Sequence, residues 1–157
     1  MSGQRVVVAM SGGVDSSVAA WIAKQRGWNP VGVFLRSGHG AEGGADGRRR
    51  LKQGCCSVTD AVDARRVAEA LEIPFYALDY ARDFERLIRY FVDSYARGET
   101  PSPCVLCNTW LKFGALLEFA RDIGAGAVVT GHYARRVPGV GGRAGLARAR
   151  DGRKDQS

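Results

Sequence analysis

The chain has 157 residues, of which 45% are hydrophobic and 25% are charged, and these values are typical of one globular domain with a buried core. No apolar run approaches the roughly 20 residues of a transmembrane helix, and the first predicted strand lies too close to the N-terminus for a signal peptide. We therefore expect a cytoplasmic protein without a membrane span. The formal net charge of +7 is compatible with a polyanionic partner, and it is equally compatible with a contribution to solubility alone.

The first third of the chain predicts a strand–helix–strand unit. Residues 5–10 are a β-branched apolar run typical of a buried strand, and residues 16–26 have the apolar spacing of a helix that stops at Gly27. Residues 30–35 predict a second strand, parallel to the first as in a βαβ unit. Residues 36–54 are rich in glycine and charge, which is typical of a mobile surface loop.

Two further helices and a strand are predicted between residues 57 and 97. A helix over residues 57–72 is expected to turn four side chains inward, namely Val62, Val67, Ala70 and Leu71. A strand follows at residues 74–78. Residues 83–97 predict an amphipathic helix, and its apolar stripe is expected to be core: Phe84, Leu87, Ile88, Phe91, Val92 and Tyr95.

The last part of the chain predicts a loop, a helix, a strand and a hairpin. Pro101 and Pro103 favour an extended loop, and Asn108 is the expected N-cap of the helix that follows. Residues 127–130 predict a fourth parallel strand, and short alternations from residue 134 onward indicate a hairpin. The whole pattern predicts a doubly wound α/β fold, with a mainly parallel sheet and helices on both faces. In such folds ligands lie beyond the carboxyl ends of the strands.

A glycine-rich loop separates the first strand from the first helix, with the sequence Ser11-Gly12-Gly13-Val14-Asp15-Ser16. Glycines let the backbone approach a ligand closely, and N–H groups at a helix start attract phosphate. The loop is neither a Walker A motif nor the G-x-G-x-x-G dinucleotide motif. Asp15 would repel a phosphate unless a cation lies between them, which predicts a Mg²⁺ ion shared by Asp15 and the phosphates of a nucleotide.

Four cysteines occur in two close pairs, Cys55-Cys56 and Cys104-x-x-Cys107. Close pairs in a cytosolic protein indicate redox chemistry, sulfur transfer or metal binding rather than a disulfide framework. Three alternatives stay open for Cys104 and Cys107: a redox pair that forms a disulfide bond, half of a metal or iron–sulfur site, or one nucleophile with a bystander.

The glycine-rich loop resembles the S-G-G-x-D-S loop of the N-type ATP pyrophosphatases, or PP-loop proteins, and this implies an adenine nucleotide α hydrolase-like (HUP) fold. Beyond the loop, the chain resembles the N-terminal part of the tRNA-specific 2-thiouridylases. The matching blocks span the chain: residues 9–17, Gly-Cys-Cys-Ser at 54–57, Asp60 with Asp63-Ala64, Thr-Pro-Ser-Pro-Cys-Val-Leu-Cys-Asn at 100–108, Lys112-Phe113, Thr-Gly-His-Tyr-Ala-Arg at 130–135 and Lys-Asp-Gln-Ser at 154–157.

This resemblance implies a two-step reaction. ATP adenylates O2 of the wobble uridine in tRNA, and a persulfide sulfur then attacks C2, so that AMP leaves and 2-thiouridine forms. The implied catalytic residues are Cys107, as the nucleophile, and Asp15, through Mg²⁺. The implied ATP site consists of Ala9, Met10, Ser11, Gly12, Gly13, Val14, Asp15, Ser16, Leu35 and Gly131. The implied tRNA contacts are Ser102, Pro103, Cys104, Lys154, Asp155 and Gln156.

The resemblance also implies partners and further domains. The partners are tRNA and a sulfur donor, either a persulfide-carrying relay protein or a cysteine desulfurase. Cys104 replaces an aspartate of some relatives, which favours a [4Fe–4S] cluster on Cys104 and Cys107. We expect residues 1–133 to be the pyrophosphatase domain. Residues 134–157 carry five of the seven net positive charges and should lead into a tRNA-binding central domain. The family's second catalytic cysteine lies beyond Ser157, so we expect this chain alone to bind ATP without completing thiolation.

Two alternatives remain. Another N-type ATP pyrophosphatase, acting on a small molecule, would not need the Cys104–Cys107 pair or the basic segment. A nucleotide-binding module without catalysis, resembling the universal stress proteins, would share the α/β architecture but would lack the S-G-G-x-D-S loop.

Overall fold

The computed structural model describes residues 3–36 and 58–154. The predicted mobile loop, except for its first residue Arg36, lies outside the described residues, and so do Cys55, Cys56, Asp155 and Gln156. The elements, in chain order, are β1 (Arg5–Ala9), α1 (Val14–Gln25), β2 (Asn29–Arg36), α2 (Val58–Ala70), β3 (Phe75–Asp79), α3 (Ala81–Ala96), α4 (Pro103–Leu106), a π-helical segment (Cys107–Gly114), α5 (Ala115–Asp122), β4 (Ala127–Val129), β5 (Arg135–Pro138) and β6 (Ala144–Ala147). None of the described helices is long and apolar enough to cross a membrane.

β1 is an inner strand of a four-stranded parallel sheet with the order β3-β2-β1-β4. Its Val7 pairs with Val31 of β2 on one side and with Val128 of β4 on the other. Because the four strands run in the same direction, their carboxyl ends meet at one edge of the sheet. β5 and β6 form a separate antiparallel hairpin, as predicted.

Alternate residues of the central strands pack on opposite faces of the sheet. Val6, Val8 and Phe34 are buried on one face, against small residues of α1 and α2: Ala20, Ala23, Ala64 and Ala68. On the other face, Val7 and Val33 pack against α5. Helices on both faces of a parallel sheet confirm the predicted doubly wound α/β fold.

The inward face of α2 differs from the prediction. Val62 is 43% exposed and Ala70 is also exposed, whereas Ala64 and Ala68 are fully buried. Two predicted residues do pack at the edge of the core: Val67 and Leu71. Ala64 and Ala68 are four residues apart and so share one face of the helix, and their small side chains let α2 lie close to the sheet.

The apolar stripe of α3 is only partly buried, contrary to the prediction. Leu87 is buried, and Phe84 and Phe91 are half-buried. The other three residues expected in the core are exposed: Ile88, Val92 and Tyr95. α3 contacts α4 and the π-helical segment, and these neighbours cover only part of the width of its apolar stripe.

The helix for which the sequence predicts Asn108 as the N-cap begins six residues earlier, at Pro103, with Ser102 as its N-cap. Proline is compatible with the first helical turn, because the N–H that it lacks would have no intrahelical partner there. α4 continues through the π-helical segment into α5. Cys104 and Cys107 are therefore helical residues and do not lie in a loop.

We expect Phe34→Ala to lower the free energy of unfolding by about 3–5 kcal/mol, because truncation of a buried phenylalanine leaves a cavity. Leu146→Ala is the matched control. Leu146 is 83% exposed, so its truncation should change the free energy of unfolding by less than about 0.5 kcal/mol. Urea unfolding followed by circular dichroism measures both values, and equal effects would contradict the core described above.

Candidate functional site

The loop between β1 and α1 begins in the sheet and ends at a helix N-terminus. The Met10 N–H donates a hydrogen bond of 2.8 Å to a carbonyl of β2. Gly12 then has a φ of +77°, and Gly13 is the N-cap of α1. The first hydrogen bond of α1 runs from the Ser17 N–H to the Gly13 carbonyl. The N–H groups of residues 14–16 therefore precede the first intrahelical bond and are directed out of the helix end.

Three serine side chains hold this loop in shape. Ser16 Oγ donates to the Gly13 carbonyl at 2.9 Å and accepts a hydrogen bond of 3.1 Å from the Ser11 N–H. Ser11 Oγ lies 3.2 Å from Ser16 Oγ. Ser17 Oγ donates a second bond, of 2.9 Å, to the Gly13 carbonyl. The buried Ser16 hydroxyl thus has its hydrogen-bond partners within the loop. The Gly13 carbonyl accepts hydrogen bonds from both Ser16 and Ser17.

A cavity of about 350 Å³ opens at the carboxyl edge of the sheet. Seven of the ten residues that the family resemblance assigns to ATP line this cavity: Ala9, Met10, Ser11, Asp15, Ser16, Leu35 and Gly131. The other three follow Ser11 directly: Gly12 and Gly13 form the turn, and Val14 is the first residue of α1. Apolar walls come from Val33, Phe34, Phe113 and Leu116.

Two glycines let separate segments touch at this edge. A Cβ on Gly131 would lie 2.8 Å from the backbone nitrogen of Ser16, so the segment after β4 approaches the start of α1 too closely for any side chain. A Cβ on Gly12 would lie 2.5 Å from the carbonyl oxygen of Asp60, in the first turn of α2. Three segments that are distant in sequence therefore meet at the cavity, namely the loop between β1 and α1, the first turn of α2 and the segment after β4.

Asp15 is held by two residues from much later in the sequence. The Tyr133 hydroxyl donates a hydrogen bond of 2.7 Å to Asp15 Oδ1, and Lys154 Nζ lies 3.1 Å from Asp15 Oδ2. The bond from Tyr133, and after it the bond from Lys154, lowers the pKa of the Asp15 carboxyl below its usual value. The hydrogen bonds to Asp15 also raise the pKa of Lys154 and of Tyr133. We call this group the Asp15 cluster.

Sequence reasoning assigned no role to Tyr133, although it lies in the block that follows β4. Its position after a parallel strand could have indicated a role, because segments that follow parallel strands lie at the edge of the sheet where ligands bind. His132 also lines the cavity, with Nδ1 2.9 Å from Thr130 Oγ1 and its ring centre 5.7 Å from that of Phe113. Four further lining residues from the matching blocks had no assigned role: Asp60, Lys112, Phe113 and Thr130.

The two cysteines of the C-x-x-C motif are not among the described residues that line the cavity. Cys104 is exposed and Cys107 is half-buried. The π-helical segment begins at Cys107, and its Lys112 and Phe113 do line the cavity. A π-helix brings residues i and i+5 together, so Cys107 lies one helical turn from Lys112. Its role as nucleophile stays a prediction.

Neither the disulfide nor the cluster predicted for the cysteine pair is supported by the structure. Cys104 and Cys107 both carry thiols, so the expected disulfide bond is wrong. Within residues 3–36 and 58–154, no three or more His, Cys, Asp or Glu residues form a group that could hold a metal ion. A [4Fe–4S] cluster normally takes four cysteines, so these two thiols alone do not fit it.

The residues expected to contact tRNA lie in two places. Ser102 and Cys104 are exposed at the start of α4, with Pro103 half-buried between them. Lys154 belongs to the Asp15 cluster and so contacts a residue of the predicted ATP loop. Asp155 and Gln156 lie outside the described residues.

A model of the family described as the tRNA methyl transferase HUP domain matches residues 4–157. The chain belongs to this family. A HUP domain agrees with the parallel sheet and with helices on both of its faces.

Curated relatives of this HUP domain are longer proteins. The tRNA-specific 2-thiouridylase of Rhodopirellula baltica is 48% identical over 98% of this chain, and that of Clostridium perfringens is 47% identical over all of it. The protein of the same name from Rhodospirillum centenum is 52% identical over 98% of the chain. The matched parts are 44%, 43% and 38% of these proteins, so the chain spans less than half of their length.

Among solved structures, an NMN synthetase from Francisella tularensis is similar to this HUP domain, with a TM-score of 0.51. The similarity covers 80% of this chain and 44% of that chain, at 19% sequence identity. At this level of identity the likeness concerns the fold alone.

We expect Tyr133→Phe to raise the pKa of Asp15 toward its usual value of 3.8, because the variant lacks the hydrogen bond that lowers this pKa most. A lowered carboxyl pKa stabilises the fold above pH 3.8, and this stabilisation is lost as the pH falls through the lowered value. The variant should therefore lose less stability than the parent on acidification. NMR titration of the Asp15 carboxyl carbon measures the pKa. Tyr90→Phe on α3 is the control, and an equal shift in both variants would contradict the assignment.

Proposed function

We propose that the cavity binds ATP, with the phosphates at the loop before α1. The observation that carries this proposal is the start of α1, where the N–H groups of residues 14–16 precede the first intrahelical bond and Gly131 approaches Ser16 without room for a side chain. Such N–H groups, together with the partial positive charge of a helix N-terminus, attract phosphate. The cavity volume lies within the range of small-ligand pockets, and Phe34 and Leu35 offer the apolar surface that an adenine ring requires.

Mg²⁺ fits this site through its carboxylates. The ion usually binds one or two carboxylates together with substrate phosphates, and both Asp15 and Asp60 line the cavity. An aspartate carboxylate is ionised at neutral pH, which is the state that holds a cation. When bound, Mg²⁺ would neutralise part of the phosphate charge.

We further propose that the chain is the ATP-binding part of a tRNA 2-thiouridylase of the cytoplasm. The curated relatives carry this name, whereas the family description names a methyl transferase. Thiolation is the better supported reaction, because it uses both features of this chain, a phosphate-binding loop and a thiol one helical turn from the cavity. The uridine O2 would attack the α-phosphate of ATP, forming a bond to AMP and releasing pyrophosphate.

Cys107 would then carry the sulfur as a persulfide. Its terminal sulfur attacks C2 of the uridine, and the C2–O bond to AMP breaks. A second thiol must cleave the remaining S–S bond, leaving 2-thiouridine and a disulfide, and the family resemblance puts this thiol beyond Ser157. The persulfide itself would come from a relay protein or a cysteine desulfurase.

The division of the chain follows the same proposal. Residues 1–133 would form the nucleotide-binding domain, and residues 134–157 would lead into a tRNA-binding domain. The hairpin supports this division, because β5 and β6 pair with each other in a sheet of their own.

We expect Gly131→Ala to weaken Mg·ATP binding about five- to 100-fold, because the new methyl group would overlap the backbone of Ser16 and displace the helix start. Gly152→Ala is the matched control, since a Cβ there would meet no atom within 4 Å. Isothermal titration calorimetry with the 157-residue chain measures both affinities. Equal affinities for Mg·ATP in the two variants would mean that the phosphates do not bind at the start of α1.

We expect Cys107→Ser to abolish thiolation and to leave pyrophosphate release intact, because serine cannot carry a persulfide. The assay uses a chimera in which this chain replaces the matching part of the Rhodopirellula baltica relative, with total tRNA, Mg·ATP and a persulfide donor. Cys104→Ser is the control and should retain thiolation. Full activity of Cys107→Ser would remove this residue as the nucleophile. Pyrophosphate release with a small acceptor, but never with tRNA, would favour the small-molecule alternative.

A further inference from the structure

A second cleft, of about 440 Å³, lies at the open end of the β5–β6 hairpin. We call it the basic cleft, and its lining residues are Tyr133, Ala134, Arg135, Arg136, Ala149 and Arg150. The hairpin register pairs Arg135 with Ala147, so the residues just before β5 and just after β6 come together. This pairing brings arginines from two separate stretches of the chain into one concave surface.

Among the described residues, the positive charge of the basic cleft is not compensated. Its lining, among the residues that the structure describes, contains three arginines and no acidic residue. Nearby, in contrast, Arg153 pairs with Asp151 at 3.3 Å. In residues 3–36 and 58–154, no ion pair neutralises Arg135, Arg136 or Arg150. A concave surface of one charge sign concentrates ligands of the opposite charge.

The arginines of the basic cleft are positioned to donate hydrogen bonds. Arg135 Nε donates a bond of 2.9 Å to the Arg148 carbonyl, across the hairpin. This bond uses one of the five N–H groups of the guanidinium, and the remaining fork matches two oxygens of a phosphate. Arg136 and Arg150 are exposed, so an anion can reach them without any movement of the backbone.

The basic cleft shares a wall with the proposed ATP site. Tyr133 lines the cleft, and its hydroxyl donates to Asp15, which lines the cavity. Lys154 reaches the same carboxylate, and its ammonium lies 4.9 Å from the centre of the Tyr133 ring. A polyanion in the cleft would therefore lie beside the nucleotide cavity.

We propose that the basic cleft binds the sugar-phosphate backbone of RNA, next to the nucleotide that reacts with ATP. The proposal rests on the proposed function, in which RNA is the substrate. Arginines spread over an exposed surface match phosphates that recur along a strand, and contacts of this kind orient a nucleic acid without reading its sequence. The neighbouring cavity, with its helix N-terminus and glycine contacts, is the site built for a single nucleotide.

Fluorescence anisotropy of labelled tRNA with the 157-residue chain, at several salt concentrations, tests the basic cleft. We expect Arg136→Gln and Arg150→Gln each to weaken tRNA binding roughly three- to tenfold, because each variant loses a charged phosphate contact. Each should also lower the slope of log affinity against log salt by about 1. Arg136→Lys keeps the charge, so it should restore the slope and recover most of the affinity.

Arg26→Gln is the matched control. It removes the same charge from an exposed arginine at the C-cap of α1, about 16 Å along the helix from Asp15. It should leave the affinity for tRNA and the salt slope nearly unchanged. If Arg26→Gln weakens binding as much as the cleft variants do, the charge acts diffusely and the basic cleft is not a site.

Two other probes identify the anion. Mg·ATP affinity should be unchanged in the cleft variants, and a loss of ATP affinity with unchanged tRNA affinity would assign the arginines to the nucleotide. Polyglutamate should bind more weakly than tRNA, and equal binding that is equally sensitive to Arg136→Gln would overturn the preference for RNA.

The two proposals fail in different ways. If the chimera thiolates tRNA while the cleft variants bind tRNA normally, only the basic cleft is refuted. If the chimera does not thiolate tRNA but the cleft variants still lose affinity for it, the cleft stands and the proposed reaction is refuted.

Discussion

Burial of β1 on both faces and along both edges is the constraint on which the site depends. Val6, Val7 and Val8 are fully buried, and the strand is hydrogen-bonded to β2 on one side and to β4 on the other. A strand held in this way has a fixed carboxyl end, so the loop that follows it starts from a fixed point. The neighbouring parallel strands β2 and β4 end beside that loop, so Leu35 and Gly131 lie at the same edge of the sheet.

The Asp15 cluster adds a second constraint, which ties the hairpin to the loop. Tyr133 precedes β5 and Lys154 follows β6, and both reach one carboxylate at the start of α1. The segment between them is thus anchored at both ends while its arginines stay exposed. In the proposed function, this anchoring sets the surface for RNA beside the cavity for ATP, and the π-helical segment brings Cys107 within one turn of the same cavity.

The errors in the sequence prediction have specific physical causes. The helix that begins at Pro103 is predicted six residues too late, because proline disfavours helix interiors but is accepted in the first turn. The predicted inward face of α2 includes Val62 and Ala70, which are exposed, whereas close packing against the sheet buries Ala64 and Ala68. The stripe of α3 was expected to be core, but the helices beside it cover only part of its width.

The sequence alone determined the order of strands and helices along the chain, the doubly wound fold and the glycine-rich loop between β1 and α1. These features follow from local patterns, since β-branched runs, helical spacing and paired glycines act over a few residues. Only the tertiary structure decided which side chains hold Asp15 and where exposed arginines form the basic cleft. Tyr133 is 118 residues from Asp15 and Lys154 is 139 residues from it, and the sheet must be assembled before such distant groups meet.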